Sequence, residues 1–452
     1  MTIFHATSTP MIRQTAIFPL PDDPSFLKKQ LLHWANGYAV AACLDSNDHT
    51  AGPYSSWDCL VAVGVIAELL VPVAGSAFPA WQSWQQRDPD WQFGTLAYDL
   101  KNEVERLSSG HFDGIEWPDL YFFQPEIVVG IRQGKAAVFS ATDLPQAIWA
   151  SIQRVSLPTE NTLRQPAIPL RARFSKAEYI ATVEAIQAHI VAGDTYELNL
   201  CQEFFAEGLD LNPVVAFGRL NALSQAPFST YFRLKDKYLC CASPERFLKK
   251  AGAQLISQPI KGTRRRGETP ELDAAICREL AASEKDCAEN VMIVDLVRND
   301  LARSCRPGSV QVEELCGVHT FATVHQMIST VSGTLRDERK GQEALRAAFP
   351  MGSMTGAPKV MTMKLIEQYE RTRRGLYSGA VGYCTPDGDF DFNVVIRSIL
   401  YNATTRYASV QVGGAIVYDS VPEQEYEECL VKAAAMLRVL GCVPAGSAAD
   451  RA

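Results

Sequence analysis

Apolar residues recur along this chain with two periods, and the change of period marks out its elements. Ile180, Val183, Ile186 and Ile190 follow the three-to-four spacing of one helix face. Ser175 and Glu178 before that run form a capping box, and Gly193 stands where a helix ends in a left-handed residue. Ahead of it, 39–47 reads as a strand running into a polar turn, 81–87 and 93–107 as helices, and 127–139 as a hairpin turning at Gln133-Gly134. Behind it, 196–205, 229–234 and 238–242 read as strands, the last two joined through Lys235-Asp236. A β-prone run over 253–260 delivers Lys261 to the point where the strand must turn. Residues 281–301, and the segment that begins at Pro422, read as helices; 377–383 and 392–401 read as sheet strands. Strands linked by hairpins imply an antiparallel sheet. Helices in separate blocks fit α+β better than a doubly wound parallel fold.

Composition adds an organisation. The 452 residues suffice for two or three domains, and all seven tryptophans lie between Trp34 and Trp149. A proline-bearing stretch at 157–173 reads as a linker, giving an N-terminal domain over 1–160 and a second domain over 171–442. A net charge of −8 argues against a general nucleic-acid or membrane-surface binder. Twelve cysteines without Cys-x-x-Cys or zinc spacing read as reduced core thiols. The apolar stretch 59–75 is interrupted by Glu68 and Pro72, and no basic-then-apolar leader opens the chain, so a cytoplasmic protein is expected.

Four places could carry chemistry. Lys261 is held between Pro259, which fixes φ, and Gly262, which lets the backbone approach a ligand. Arg264, Arg265 and Arg266 follow, and a cationic, desolvated setting would lower the lysine pKa and free its amine as a nucleophile. Asp286 and Glu289 share a helix face, as do Glu425 and Glu428 with Lys432 one turn on. Two such helices can hold one Mg²⁺, although solvated acidic faces give the same pattern. Residues 352–359 form a small-residue turn into a helix that lacks the Walker spacing, and serve either an anion or a tight turn. Arg397 inside an apolar run requires an anion, either an internal acid or a ligand carboxylate that the Gly413-Gly414-Ala415 backbone could also meet.

Six stretches in one order resemble the chorismate-utilising enzymes. They are Ser243-Pro244-Glu245-Arg246-Phe247, Pro259-Ile260-Lys261-Gly262-Thr263, Ala288-Glu289-Asn290 with Arg298-Asn299-Asp300-Leu301, Thr355-Gly356-Ala357-Pro358-Lys359, Gly379-Ala380-Val381-Gly382-Tyr383, and Gly413-Gly414 running to Asp419-Ser420. The resemblance covers roughly 171–440 and implies two large stacked antiparallel sheets with helices outside. It implies Mg²⁺ on Glu289 and Glu428, supported by Asp286 and Glu425. Chorismate would be held by Thr263, Thr355, Tyr377, Arg397, Gly413, Gly414, Ala415 and Lys432, with Glu245 as general acid at the departing C4 hydroxyl. Within the family, Pro-Ile-Lys-Gly-Thr resembles the branch that aminates chorismate at C4 through a lysine adduct; anthranilate-forming relatives have alanine there. A non-catalytic tryptophan- or chorismate-binding regulator on the same scaffold is the alternative of another class. Glu197 stands where many relatives have glutamine, Gln326 beside His325 where many have histidine, and Ala415 replaces a common glycine. No glutaminase signature is present, so ammonia is expected from a separate glutaminase subunit. The first region matches only through Leu44-Asp45-Ser46, a neighbourhood that in relatives can hold tryptophan.

Overall fold

The computed structural model describes residues 12–49, 54–158 and 170–441. The described strands form two antiparallel sheets, one of twelve strands and one of ten. Leu120–Gln124 shows why the sheets stack. All five residues are buried, so alternate side chains need cover on both faces. Phe122 stacks on Trp81 of the Ala77–Arg87 helix with ring centroids 4.1 Å apart. Tyr121 and Phe123 meet Phe232 of the opposite sheet edge to face, at 6.2 and 5.9 Å. Each pair adds about 0.5–1.5 kcal/mol beyond the area it buries. The ten-stranded sheet is therefore a middle layer, with the twelve-stranded sheet on one face and helices on the other. A second core covers the far face of the twelve-stranded sheet, joining Leu31, Val183, Phe217 and Met436 of four helices to Val61, Leu198 and Val412 of its strands. This is the α+β arrangement of stacked antiparallel sheets with outer helices that the resemblance implied.

The expected division at 157–173 separates stretches of chain but not sheets, and 159–169 lies outside the described residues. Val40–Asp45 pairs with Phe228–Leu234 in one sheet, and Gln92–Leu96 pairs with Ala380–Cys384 in the other. Both regions thus contribute strands to both sheets, and ladder hydrogen bonds cross the boundary.

The hairpins and the capped helix form as expected. Gln133 and Gly134 both take positive φ between Ile127–Arg132 and Lys135–Ser140. Ser175 and Glu178 make both bonds of the capping box on Lys176–Val191. Two expectations fail. The helix expected over 93–107 begins as the strand Gln92–Leu96, because all five of its residues are buried between neighbouring strands; only Lys101–Val104 is α-helical. The strand expected over 392–401 is two strands, Phe390–Val394 in the ten-stranded sheet and Ser398–Asn402 in the twelve-stranded sheet. The chain crosses between sheets at 395–397, where Arg397 adopts φ +52°. Arg397 therefore stands at a crossing rather than inside a strand.

Candidate active site

Lys261 lies in a bulge, not at the end of the run that precedes it. Pro259 separates Gln254–Gln258 from Ile260–Arg265. Ile260 pairs with Ile328 and Thr263 with Gln326, so Lys261 and Gly262 together face Met327 alone. Gly262 takes φ +82°, and a Cβ there would lie 3.0 Å from the Asp286 carboxylate. The side chain of Lys261 is 10% exposed, and its Nζ donates to Glu197 Oε1 at 2.9 Å.

The cationic setting expected for this lysine is overturned. Arg264 pairs with Asp286 at 2.8 Å, Arg266 with Asp273 at 2.7 Å, and Arg265 is exposed. The groups that act on Lys261 are instead carboxylates. Burial pushes its pKa down, but Glu197, Glu289 and Glu245 more than offset burial, and the net shift is upward. The resting side chain is an ammonium ion.

Glu245 follows Pro244 and immediately precedes the strand Arg246–Ala251, and is 5% exposed. Its Oε1 accepts from Ser353 Oγ at 2.7 Å. Burial raises its pKa to about 7, against the opposing effects of Ser353 and Lys261. Such a carboxyl is protonated often enough near neutrality to deliver a proton. Glu197 is 1% exposed; Oε1 holds Lys261 and Oε2 has no hydrogen-bond partner among the described residues.

These acids sit on braced backbone. Arg374, 2% exposed, pairs with Glu370 at 2.6 Å and donates to the carbonyls of Met354 and Asn199 at 2.7 and 2.9 Å. Glu370 in turn accepts from the Cys201 amide at 2.9 Å. The pair ties Glu197–Ala206 to the turn that carries Ser353. Ser353, Glu370 and Arg374 were not singled out from the sequence. The only signal for the charged pair was its i, i+4 spacing.

The acidic pairs approach the same lysines. Lys285 stands 3.9 Å from Glu289 and also acts on Glu425 and Glu428, while Lys261 acts on Glu289 and Glu428. Asp286 Oδ2 is occupied by Arg264 and by Ser283 Oγ at 2.6 Å. Glu425 Oε1 accepts from Ser420 Oγ at 2.7 Å, and burial raises its pKa. Glu428 Oε1 meets Lys432 at 2.6 Å; burial pushes its pKa up, but Lys432 reverses the sign. No three His, Cys, Asp or Glu side chains converge as a closed metal centre among the described residues. Among the described residues, no protein group bonds Oε2 of Glu289 or of Glu428. One hard donor from each helix suits an ion that otherwise takes water and substrate oxygens.

Lys432 also donates to the Gly413 carbonyl at 2.8 Å. A Cβ on Gly414 would lie 3.1 Å from Glu425 Oε2, so the bare backbone is what leaves space there. Ala415 faces Asn199 across one edge of Tyr407–Ile416; the other edge pairs with Ser398–Asn402 only as far as Ser409. The Arg397 carbonyl accepts from the Ala242 amide at 3.1 Å, but its guanidinium makes no ion pair or hydrogen bond among the described residues. Burial lowers its pKa, and Tyr377 and Glu428 oppose that. Tyr377 is buried, with its hydroxyl accepting from Cys201 Sγ at 3.7 Å. Thr263 lies on the bulged strand opposite Gln326, whose buried Oε1 has no partner among the described residues. Thr355 is wholly buried and donates to the Met351 and Gly352 carbonyls, so its hydroxyl braces the turn. His325 bridges Thr320 and Asp273 at 2.9 and 2.8 Å, and its ring is likewise structural.

A separate cavity of about 620 Å³ lies along the same strands. Leu44, Asp45, Ser46, Tyr54, Trp57 and Phe228 help line it; Lys261, Glu245 and Arg397 do not.

Residues 72–438 match the family described as chorismate binding enzyme. The chain belongs to that family. A chorismate binding enzyme from Bacillus subtilis (strain 168), aminodeoxychorismate synthase component 1, is 35% identical over 81% of this chain and 82% of its own length. Aminodeoxychorismate synthase of Streptomyces griseus is 46% identical over 60% of this chain, which spans only 37% of that longer relative. Anthranilate synthase component 1 of Thermus thermophilus is 35% identical over 78% of each chain. The solved anthranilate synthase component I of Streptococcus pneumoniae TIGR4 superposes with a TM-score of 0.72 at 26% identity, covering 86% of this chain and 94% of its own. Component 1 relatives with either named activity reach the same 35% identity, so the residues of the site bear on the choice as well. No described helix is long and apolar enough to cross a membrane.

Proposed function

We propose that this chorismate binding enzyme converts chorismate and ammonia to 4-amino-4-deoxychorismate, the aminodeoxychorismate synthase component 1 reaction that leads to 4-aminobenzoate and folate. The observation that carries the reading is Lys261 in Pro-Ile-Lys-Gly-Thr, buried against Glu197 and within the field of Glu245. An anthranilate-forming enzyme has no use for an amine at that position.

Arg397, which has no paired anion among the described residues, takes a substrate carboxylate. Tyr377, Lys432 and the free backbone edge at Gly413, Gly414 and Ala415 complete the cradle, with Thr263 beside the bulge. Glu289 and Glu428 would hold Mg²⁺, with Asp286 and Glu425 as supports. When bound, the ion supplies charge that neutralises the ring carboxylate and polarises the ring. Glu245 protonates the C4 hydroxyl as the Lys261 amine adds at C2. Ammonia then attacks C4 and expels the lysine, which splits one hard displacement into two easier ones. A separate glutaminase subunit is the proposed ammonia source, in keeping with the word component in the relatives' names. The cavity lined by Leu44, Asp45 and Ser46 has room for an amino acid, and tryptophan is its proposed occupant.

The test is a product analysis with purified chain, chorismate, Mg²⁺ and ammonium. The expected product is metal-dependent and yields 4-aminobenzoate on adding an aminodeoxychorismate lyase. Anthranilate with pyruvate would reassign the branch. Magnesium-independent binding of chorismate without turnover would make the chain a sensor.

A further inference from the structure

We propose that Glu197 is the proton acceptor and proton store for Lys261, a role that rests on the lysine-adduct reading above. A lysine whose carboxylate neighbours favour its charged form cannot add to a carbon until it loses a proton, so the site must hold a base for it. Glu197 Oε1 lies 2.9 Å from Nζ, within direct transfer distance. Its Oε2 has no partner among the described residues in a residue that is 1% exposed. A buried carboxylate that had only to balance a charge would be better stabilised with both oxygens bonded. The proton passes to Oε1, the oxygen that faces Nζ, while no other described donor ties up Oε2.

The alternatives around the lysine are weaker. Glu289 acts on Lys261 without a hydrogen bond to it, and one helix turn away it shares its field with Asp286. Glu245 has to arrive at the reaction protonated, and its Oε1 is held by Ser353. The Glu197 backbone is fixed: Thr195 Oγ1 donates to its carbonyl at 3.0 Å, and the Tyr196 amide donates to the Ala357 carbonyl at 2.8 Å. The acceptor is thus held in place before substrate arrives.

The protons balance over one turnover. Lys261 gives a proton to Glu197 and becomes an amine. The amine forms a C2–N bond while the C4–O bond breaks, and the Glu245 proton leaves with the hydroxyl as water. The adduct nitrogen carries the positive charge. Ammonia forms the C4–N bond, the C2–N bond breaks, and Lys261 departs as a neutral amine. The new C4 ammonium returns a proton to Glu245, and Glu197 returns its own to Lys261. The sum is chorismate and ammonia to aminated product and water.

The experiment compares wild type, Glu197→Gln and Glu197→Asp as full chains, measuring kcat and KM for chorismate from pH 6 to 10. Chorismate binding and thermal melting of each variant check the fold. For Glu197→Gln we expect a KM within about threefold and a kcat about 10²-fold lower at neutral pH, since general-base contributions run from about 10² to 10⁴. Glu245 still imposes its decline above about pH 7 on both enzymes, so the rate of Glu197→Gln relative to wild type should climb with pH as solvent takes over deprotonation, and Glu197→Asp should restore part of the neutral-pH rate. A Glu197→Gln enzyme as fast as wild type at neutral pH, or faster, with an unchanged profile would overturn the role and make Glu197 a mere counter-ion. Failure of the underlying reading looks different: Lys261→Ala would then stay active, and no adduct with the mass of chorismate less water would form on wild type without ammonium.

Discussion

Two buried spaces lie on neighbouring strands of this molecule, and they are lined in opposite ways. The larger, about 620 Å³, is lined by apolar side chains, hydroxyls and charged groups that mostly meet partners; Arg246, for example, meets Asp391 at 2.9 Å. The smaller, about 20 Å³, touches the candidate active site only through Glu245 and Ser353; the charges around Lys261 lie beyond its lining and are only partly paired. Among the described residues Arg397 has no paired anion and Glu197 Oε2 has no partner, and burial places the Glu245 pKa at about 7. Charge without a partner in a buried place is unstable unless a ligand completes it. The comparison teaches that volume marks where something fits, whereas unspent electrostatics mark where something reacts.

The sharpest way to break that contrast is to remove the nucleophile. Lys261→Ala should lower aminodeoxychorismate formation by at least about 10³-fold, as losses of covalent nucleophiles do, with some loss of stability because buried Glu197 loses its partner, and with retained chorismate binding as the check on folding. Retained activity in a coupled lyase assay would remove the covalent role. Glu245→Gln comes next, with an expected fall of about 10²–10⁴-fold. Its sign with pH follows from its position near 7. The acid must be protonated to act, so the wild-type rate should decline as pH rises through about 7, and that limb should vanish in the variant. Arg397→Met should act mainly on binding, raising KM for chorismate about 10–100-fold, which matches about 1.5–3 kcal/mol for a hydrogen bond to a charged group. A fall confined to kcat would place Arg397 elsewhere in the mechanism. The smallest effect belongs to the large cavity. Ser46→Ala should change kcat by less than about twofold, as surface-type substitutions do, while weakening tryptophan binding measured by calorimetry. A large loss of turnover would mean that the two spaces are not separate.

What the sequence made legible follows the range of the forces involved. The Gln133-Gly134 turn, the Ser175–Glu178 box and the helix from Pro422 rest on neighbours in the chain, and each formed as read. The motif stretches also located Lys261, Glu245 and Glu289, and helix-face spacing located the two acidic pairs. The electrostatics of Lys261 did not follow, because Arg264 and Arg266 are adjacent in sequence yet turn to Asp286 and Asp273. The carboxylate that touches the lysine is 64 residues away. Arg397 was misplaced for a similar reason: its apolar neighbours belong to strands of different sheets, and nothing local announces a left-handed arginine. Arg374 escaped notice because its worth lies in two distant carbonyls.

The central claim is that Lys261 bonds to the substrate, and the most direct measurement is a trapped adduct. Wild-type chain mixed with chorismate and Mg²⁺ without ammonium, quenched and read by intact and peptide mass, should carry chorismate less one water on the peptide containing Lys261. Adding ammonium before the quench should discharge it. An unmodified lysine throughout, in an enzyme that still forms the aminated product, would contradict the account.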